Sequence, residues 1–164
     1  MTFLVATLIV IALIAGVFVA GRLGFQTVTV IGGSMEPTFS SGDVVLATTW
    51  WPRRWLQRGA VVLIRGYGGV EPLRTALMIK RIGNLDGDHV RFWVRGTAEE
   101  QQLIVERDQV FVLSDAVVSH RNDRGAITEP EMQTIDSRIW GPIPISSIVG
   151  RVLMKLPIAR SSDT

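Results

Sequence analysis

The chain contains no cysteine. That absence excludes disulfide staples, thiolate catalysis and cysteine-ligated metal sites. Lysine is scarce as well: 17 residues are basic, yet only Lys80 and Lys155 are lysines. The formal net charge is only +2, and basic residues are interspersed with acids. A nucleic-acid binder would show a concentrated basic stripe, and none is present. The first part of the chain lacks charge altogether. From Met1 to Gly21, "MTFLVATLIVIALIAGVFVAG", no side chain is ionisable.

Roughly 20 apolar residues are needed to cross a bilayer as a helix, and residues 1–21 meet that length. The run carries no polar stripe of the kind a core helix shows. A cleaved signal peptide would have a basic n-region and a small-x-small cleavage site. No Lys or Arg precedes the run, and Phe18 stands where a small residue is expected. The expectation is a retained anchor over residues 1–21 and one domain over residues 22–164. Arg22 is the first basic residue and follows the run. By charge count alone it weakly favours keeping that side in the cytoplasm.

The rest of the 164-residue chain reads as short strands. "FQTVTVIG", "DVVLATTW", "AVVLIRGY", "ALMIKRIG", "HVRFWVRG", "QLIVER" and "QVFVLSD" are β-branched or alternating runs bounded by turn residues. A polar segment, Ala116 to Gln133, reads as irregular. "SRIWGPIPISSIVGRVLMKL" holds a short turn and a final strand. No useful helical period occurs outside the anchor, so the domain is expected to be mainly β, with short antiparallel strands and many turns. In "TTWWPRRWLQRG", Trp50, Trp51 and Trp55 lie among Arg53, Arg54 and Arg58. This is either a membrane-interface stretch or a strand end with core tryptophans and a solvated turn.

The stretch "IGGSMEPTFSSGD", residues 31–43, places Ser34 between Gly33 and Met35. A serine hydroxyl near neutral pH needs an adjacent base to act as a nucleophile. His89 lies beside a turn and His120 within the polar segment; both read as surface residues. Lys80 differs, because it sits in the apolar run "ALMIKRI". Strand alternation puts Lys80 and Met78 on one face and Ile79 and Arg81 on the other. Burial can lower a lysine pKa by up to about 3–5 units, into the range of a general base. Arginine cannot serve this way, because it stays protonated in proteins. The bland alternative is a lysine snorkelling at a strand end.

"SMEPTFSSGD", then "IKRI", then "TIDSRIWG", in that order, resembles bacterial type I signal peptidase, a family of membrane-anchored serine proteases. The resemblance runs from the anchor to Gly150. It implies a signal-peptidase-like β catalytic domain behind one transmembrane helix. Ser34 resembles the nucleophile, Lys80 its general base and Arg81 the base's usual neighbour. Thr134 takes the position whose hydroxyl orients the lysine, with Asp136, Ser137 and Arg138 as a supporting shell. Gly32, Gly33, Met35 and Pro37 belong to the loop along the substrate groove, where an extended peptide could pair with Thr27 to Ile31. The implied reaction is removal of signal peptides from exported preproteins, with small residues preferred before the cut. The implied setting is the cell membrane: a single-pass monomer in the bilayer, N-terminus cytoplasmic, catalytic domain outside. No cofactor and no metal is implied.

The sequence departs from that pattern in places. The family usually has Gly-Asp-Asn shortly before the last motif; here Ser114, Asp115 and Ala116 stand there, and only Asp115 matches, as a partner for Arg81. Gly32 replaces a serine found in some members, which leaves the oxyanion chiefly to the Ser34 backbone N–H. Ala60 stands where an aspartate is common. The longer Asp115–Thr134 connection leaves room for a specialised protease of one dedicated precursor. A membrane-tethered β-domain that binds peptides without cutting them, and a Ser–His hydrolase using His120, are the other readings.

Overall fold

The computed structural model describes residues 2–65, 77–93, 100–116, 120–121, 127–128 and 135–157. A 23-residue helix, α1 (Thr2–Gly24), opens the chain. The strands follow: β1 (Phe25–Thr29), β2 (Val44–Thr48), β3 (Val61–Arg65), β4 (Leu77–Leu85), β5 (His89–Trp93), β6 (Glu100–Ile104), β7 (Gln109–Leu113), β8 (His120–Arg121), β9 (Ile127–Thr128), β10 (Ile143–Pro144) and β11 (Ile148–Lys155). A single helical turn, α2 (Ser137–Trp140), sits between β9 and β10. The domain is mainly β, as the strand pattern predicts. Counted over the described residues alone, no helix is long and apolar enough to cross a membrane. The anchor expected over residues 1–21 is therefore not established by the fold.

Seven strands form one antiparallel sheet in the order β1-β2-β11-β3-β4-β7-β10. β3 lies at its centre and is apolar from Val61 to Ile64. Alternation divides its residues between two cores. Val61 and Leu63 pack with Val30, Met35, Phe39, Val45, Ala47 and Val152. Val62 and Ile64 pack with Ile82, Val110, Val112, Ile143 and Ile148 on the other face. Burying each such side chain contributes about 1.5–3 kcal/mol. A strand covered on both faces needs no polar alternation, which explains the unbroken "VVLI" run. β5 and β6 form a separate two-stranded sheet, whose Val90 packs with Val105 and Phe111.

The register across β4 sets up the site. Lys80 pairs with Val62 of β3, and Arg81 pairs with Leu113 of β7. One step further along that antiparallel ladder, Ser114 comes opposite Lys80. Beyond Ile82 the ladder slips at Gly83. A Cβ at Gly83 would come within 2.8 Å of the Leu113 side chain, so any larger residue there would have to displace Leu113.

The tryptophan stretch divides. Trp51 packs against the second core, whereas Trp50 and Trp55 are exposed. Trp50 lies over the end of α1, where a Cβ at Gly24 would meet its ring at 3.2 Å. The segment Ala116 to Gln133, expected to be irregular, contains the short β8–β9 pair.

Candidate active site

The loop carrying Ser34 leaves β1 and returns at β2. Gly32 adopts φ +84°, a left-handed conformation that glycine takes at little cost, and its N–H donates to Ser41 Oγ at 3.3 Å. The Glu36–Pro37 peptide bond is cis. Met35 and Phe39 plunge into the first core and pin the loop from below. Asp43 closes it: the Ser40 N–H donates to Asp43 Oδ2 at 2.8 Å, and Lys155 Nζ lies 2.6 Å from the same oxygen. Ser34 is left half-buried at the surface of the sheet.

A second set of contacts ties this loop to β4 and β7. The Ala116 N–H donates to the Ser34 carbonyl at 3.1 Å. The Thr38 hydroxyl donates to Asp115 Oδ2 at 2.6 Å. Arg81 Nε donates to Asp115 Oδ1 at 2.7 Å, and its other nitrogens reach Gly59 O and Thr38 Oγ1. Asp115 thus joins the serine loop to the residue beside Lys80, as the pairing of Asp115 with Arg81 anticipates. Burial disfavours its charge, but bonds from Arg81 and Thr38 outweigh that and hold its carboxyl below the ordinary range.

Lys80 is 3% exposed. Burial pushes its amine down to about 8. Asp136 and Asp115 work against that lowering, and Arg138 adds to it. The amine donates to Ser114 Oγ at 2.8 Å. Lys80 and Ser34 line one pocket of about 250 Å³, together with Val28, Val30, Ile31, Leu63, Met78, Ile79 and Ile135. Among the described residues no hydrogen bond joins Ser34 Oγ to Lys80 Nζ, and the Ser34 N–H meets no acceptor. Catalytic hydrogen bonds often tighten only when substrate binds, and an uncommitted N–H is what an oxyanion site requires.

The shell beneath is built on Asp136. It caps α2 by accepting from the Arg138 N–H at 3.0 Å, and it accepts from the Arg138 side chain as well. Its Oδ2 also takes the Ser114 N–H at 3.0 Å. Burial opposes its charge, yet these bonds keep its carboxyl below the usual value. Ser137 Oγ accepts from the Val112 N–H. Asp136, Ser137 and Arg138 therefore act on β7, and through Ser114 on the lysine.

Thr134, expected to orient Lys80, lies outside the described residues. Gly32, Gly33, Met35 and Pro37 belong to the serine loop but do not line this pocket. His89 sits in β5, in the separate two-stranded sheet, and is not among the pocket residues either. Sequence reasoning missed Ser114 as a partner of the lysine. A signal for it existed: Val110 and Val112 are buried core positions, so alternation carries Ser114 to the same side.

Comparison with known proteins gives the family. The family described as "Signal peptidase, peptidase S26" matches residues 1–96, a span that contains both Ser34 and Lys80. The chain is also 33% identical over 138 residues to the mitochondrial ATP-independent inner membrane protease subunit 1b of Arabidopsis thaliana, covering 82% of this chain and 70% of that protein. A serine loop, a buried lysine beside it and a match across more than half the sequence converge on one assignment: the chain belongs to the signal peptidase family, peptidase S26.

Proposed function

We propose that this chain is a membrane-anchored serine endopeptidase that removes signal peptides from exported preproteins, with Ser34 as nucleophile and Lys80 as general base. One observation carries the reading: a lysine 3% exposed, with its amine lowered to about 8, shares a pocket with a loop serine. Neutral Lys80 takes the Ser34 proton as the hydroxyl oxygen attacks the peptide carbonyl. The uncommitted Ser34 N–H faces the developing oxyanion. The resulting ammonium gives its proton to the leaving amine, the mature protein departs, and water releases the acyl fragment. Asp115 and Arg81 hold the serine loop against β4 throughout.

Setting and topology belong to the same proposal. Residues 2–21 of the uncharged run lie within the 23-residue α1, about 34 Å long at 1.5 Å per residue, against a hydrocarbon core of about 30 Å. Leu13 and Ile14 are 64% and 65% exposed, an apolar surface that lipid would cover. The exposed Trp50 at the end of α1 suits the membrane–water interface. A signal peptide presents its cleavage site after crossing, and a protease for it would have its domain outside and its N-terminus in the cytoplasm. One copy holds Ser34 and Lys80 on a single pocket, so a monomer suffices. The Arabidopsis protein is named a subunit, and sedimentation in detergent tests this point.

The deciding experiment is cleavage of a preprotein in detergent by wild type, Ser34→Ala and Lys80→Met. Both variants are expected to lose at least about 10³-fold in kcat/KM. Activity in either one rejects the Ser–Lys reading. Turnover of one preprotein but not of general signal-peptide substrates would indicate a dedicated protease. Peptide binding without cleavage by wild type would indicate a binding domain.

A further inference from the structure

We propose that Ser114 is a positioning residue for Lys80: its hydroxyl accepts one N–H of the amine and so turns the nitrogen lone pair toward Ser34. The inference rests on the Ser34–Lys80 reading above. A neutral amine has one lone pair and two N–H bonds, and a base is useful only when the lone pair faces the proton it must take. Fixing one N–H removes most of the rotational freedom about the last side-chain bond. Ser114 is placed for this by the fold rather than by a flexible loop. It follows β7 directly, opposite Lys80 in the β4–β7 register. Its N–H is held by the fully buried Asp136 at 3.0 Å. Two residues on, the Ala116 N–H holds the Ser34 carbonyl at 3.1 Å. Three consecutive residues thus reach the lysine amine, the Thr38 hydroxyl and the nucleophile's own backbone.

The contact is buried at both ends: Lys80 is 3% exposed and Ser114 8%. An amine in such a place needs an acceptor, and among the described residues Ser114 Oγ is the one it bonds. The charged groups acting on the amine are Asp136 and Arg138 from the start of α2 and Asp115 beyond β7. Substituting Ser114 leaves all three in place, so a change in Lys80 titration reports the hydroxyl itself.

The test uses the full chain in detergent micelles. Ser114→Thr and Ser114→Val have nearly the same shape and differ in the hydroxyl, so they separate its role from packing. Ser114→Val, and Ser114→Ala beside it, are expected to lose about 10- to 100-fold in kcat with KM changed by no more than about twofold. Ser114→Thr should stay within about threefold of wild type. The chain has two lysines, so ¹³Cε labelling gives two NMR signals, and Lys155→Arg assigns them. The Lys80 pKa should fall by about one unit in the Val and Ala variants, because a bond that favours the ammonium is gone. Equal kcat and equal Lys80 titration in the Thr and Val variants overturn the proposal. If that occurs while Ser34→Ala and Lys80→Met remain inactive, only this inference fails. Cleavage by Lys80→Met would instead remove the reading beneath it.

Discussion

The two lysines of this chain occupy opposite physical settings. Lys80, in mid-strand, is buried, and among the described residues its hydrogen bond runs to an uncharged hydroxyl. Lys155, at the end of β11, is half exposed at its side chain and faces the buried Asp43 carboxylate at 2.6 Å. One ammonium loses its water without a carboxylate bonded to it, while the other keeps both water and a counter-charge. The difference is one of surroundings: burial disfavours the charged form of Lys80, whereas Lys155 stays in reach of water and of a carboxylate. Lys155 serves structure, because Asp43 also holds the Ser40 N–H at the close of the serine loop.

Exchanging the two settings breaks the comparison most sharply. Lys80→Met should abolish cleavage, at least about 10³-fold in kcat/KM, whereas Lys155→Met should retain most of it at temperatures where the fold holds. Lys80→Arg should be equally inactive, since a guanidinium stays protonated. The pH profile sharpens the same point. Below about 8, kcat/KM should fall about tenfold per pH unit, as the neutral fraction of a single base does, and it should level off above. A rate flat from pH 5 to 9 would exclude Lys80 as the base.

Asp136 ranks next. Its fully buried carboxylate binds the Arg138 side chain and two backbone N–H groups. Asp136→Asn should cost about 3 kcal/mol in denaturant unfolding, as loss of one partner of a buried ion pair does. A smaller effect, of opposite sign in the two lysines, concerns stability. The lowering of Lys80 from 10.5 to about 8 corresponds to roughly 3 kcal/mol against the folded state while the group is charged. The folded pKa lies below the unfolded one, so between pH 8 and 10.5 the unfolded chain binds more protons and stability rises with pH. The penalty is fully present below pH 8 and gone above 10.5. Lys80→Met should therefore stabilise the domain at pH 7 by about 1–2 kcal/mol, after allowing for the Ser114 hydroxyl left without its donor. Lys155→Met should destabilise it by about 1–2 kcal/mol by taking the counter-charge from the buried Asp43 carboxylate. Smallest of all, Arg53→Gln removes the exposed Arg53–Asp108 pair and should change stability by under about 0.5 kcal/mol. Melting curves of the four variants at pH 7 and 9.5 test the signs together.

Much of the fold was legible in the chain. The apolar runs at 61–64 and 110–112 are strands because β-branched residues fill both faces of a covered sheet. The mainly β class and the Ser34 and Lys80 candidates came from local pattern and motif. The pairing of Asp115 with Arg81 was readable from motif order. The link between Ser114 and Lys80 was not. It depends on the β4–β7 register, in which a shift of one residue would turn Ser114 to the opposite face. The part played by Asp136 was also hidden, since capping α2 is a local event but holding the Ser114 N–H is not.

The sequence by itself determined which side chains could do chemistry: a serine on a glycine loop, one lysine in an apolar run, and no thiol to compete. It determined that the first 21 residues carry no charge. The tertiary structure alone decided that the lysine amine is buried, that it meets a hydroxyl rather than a carboxylate, and that it shares a pocket with the serine. The physical reason is that a pKa depends on the water and charges around a group in space, and those neighbours lie 34 and 46 positions away along the chain, at Ser114 and Ser34.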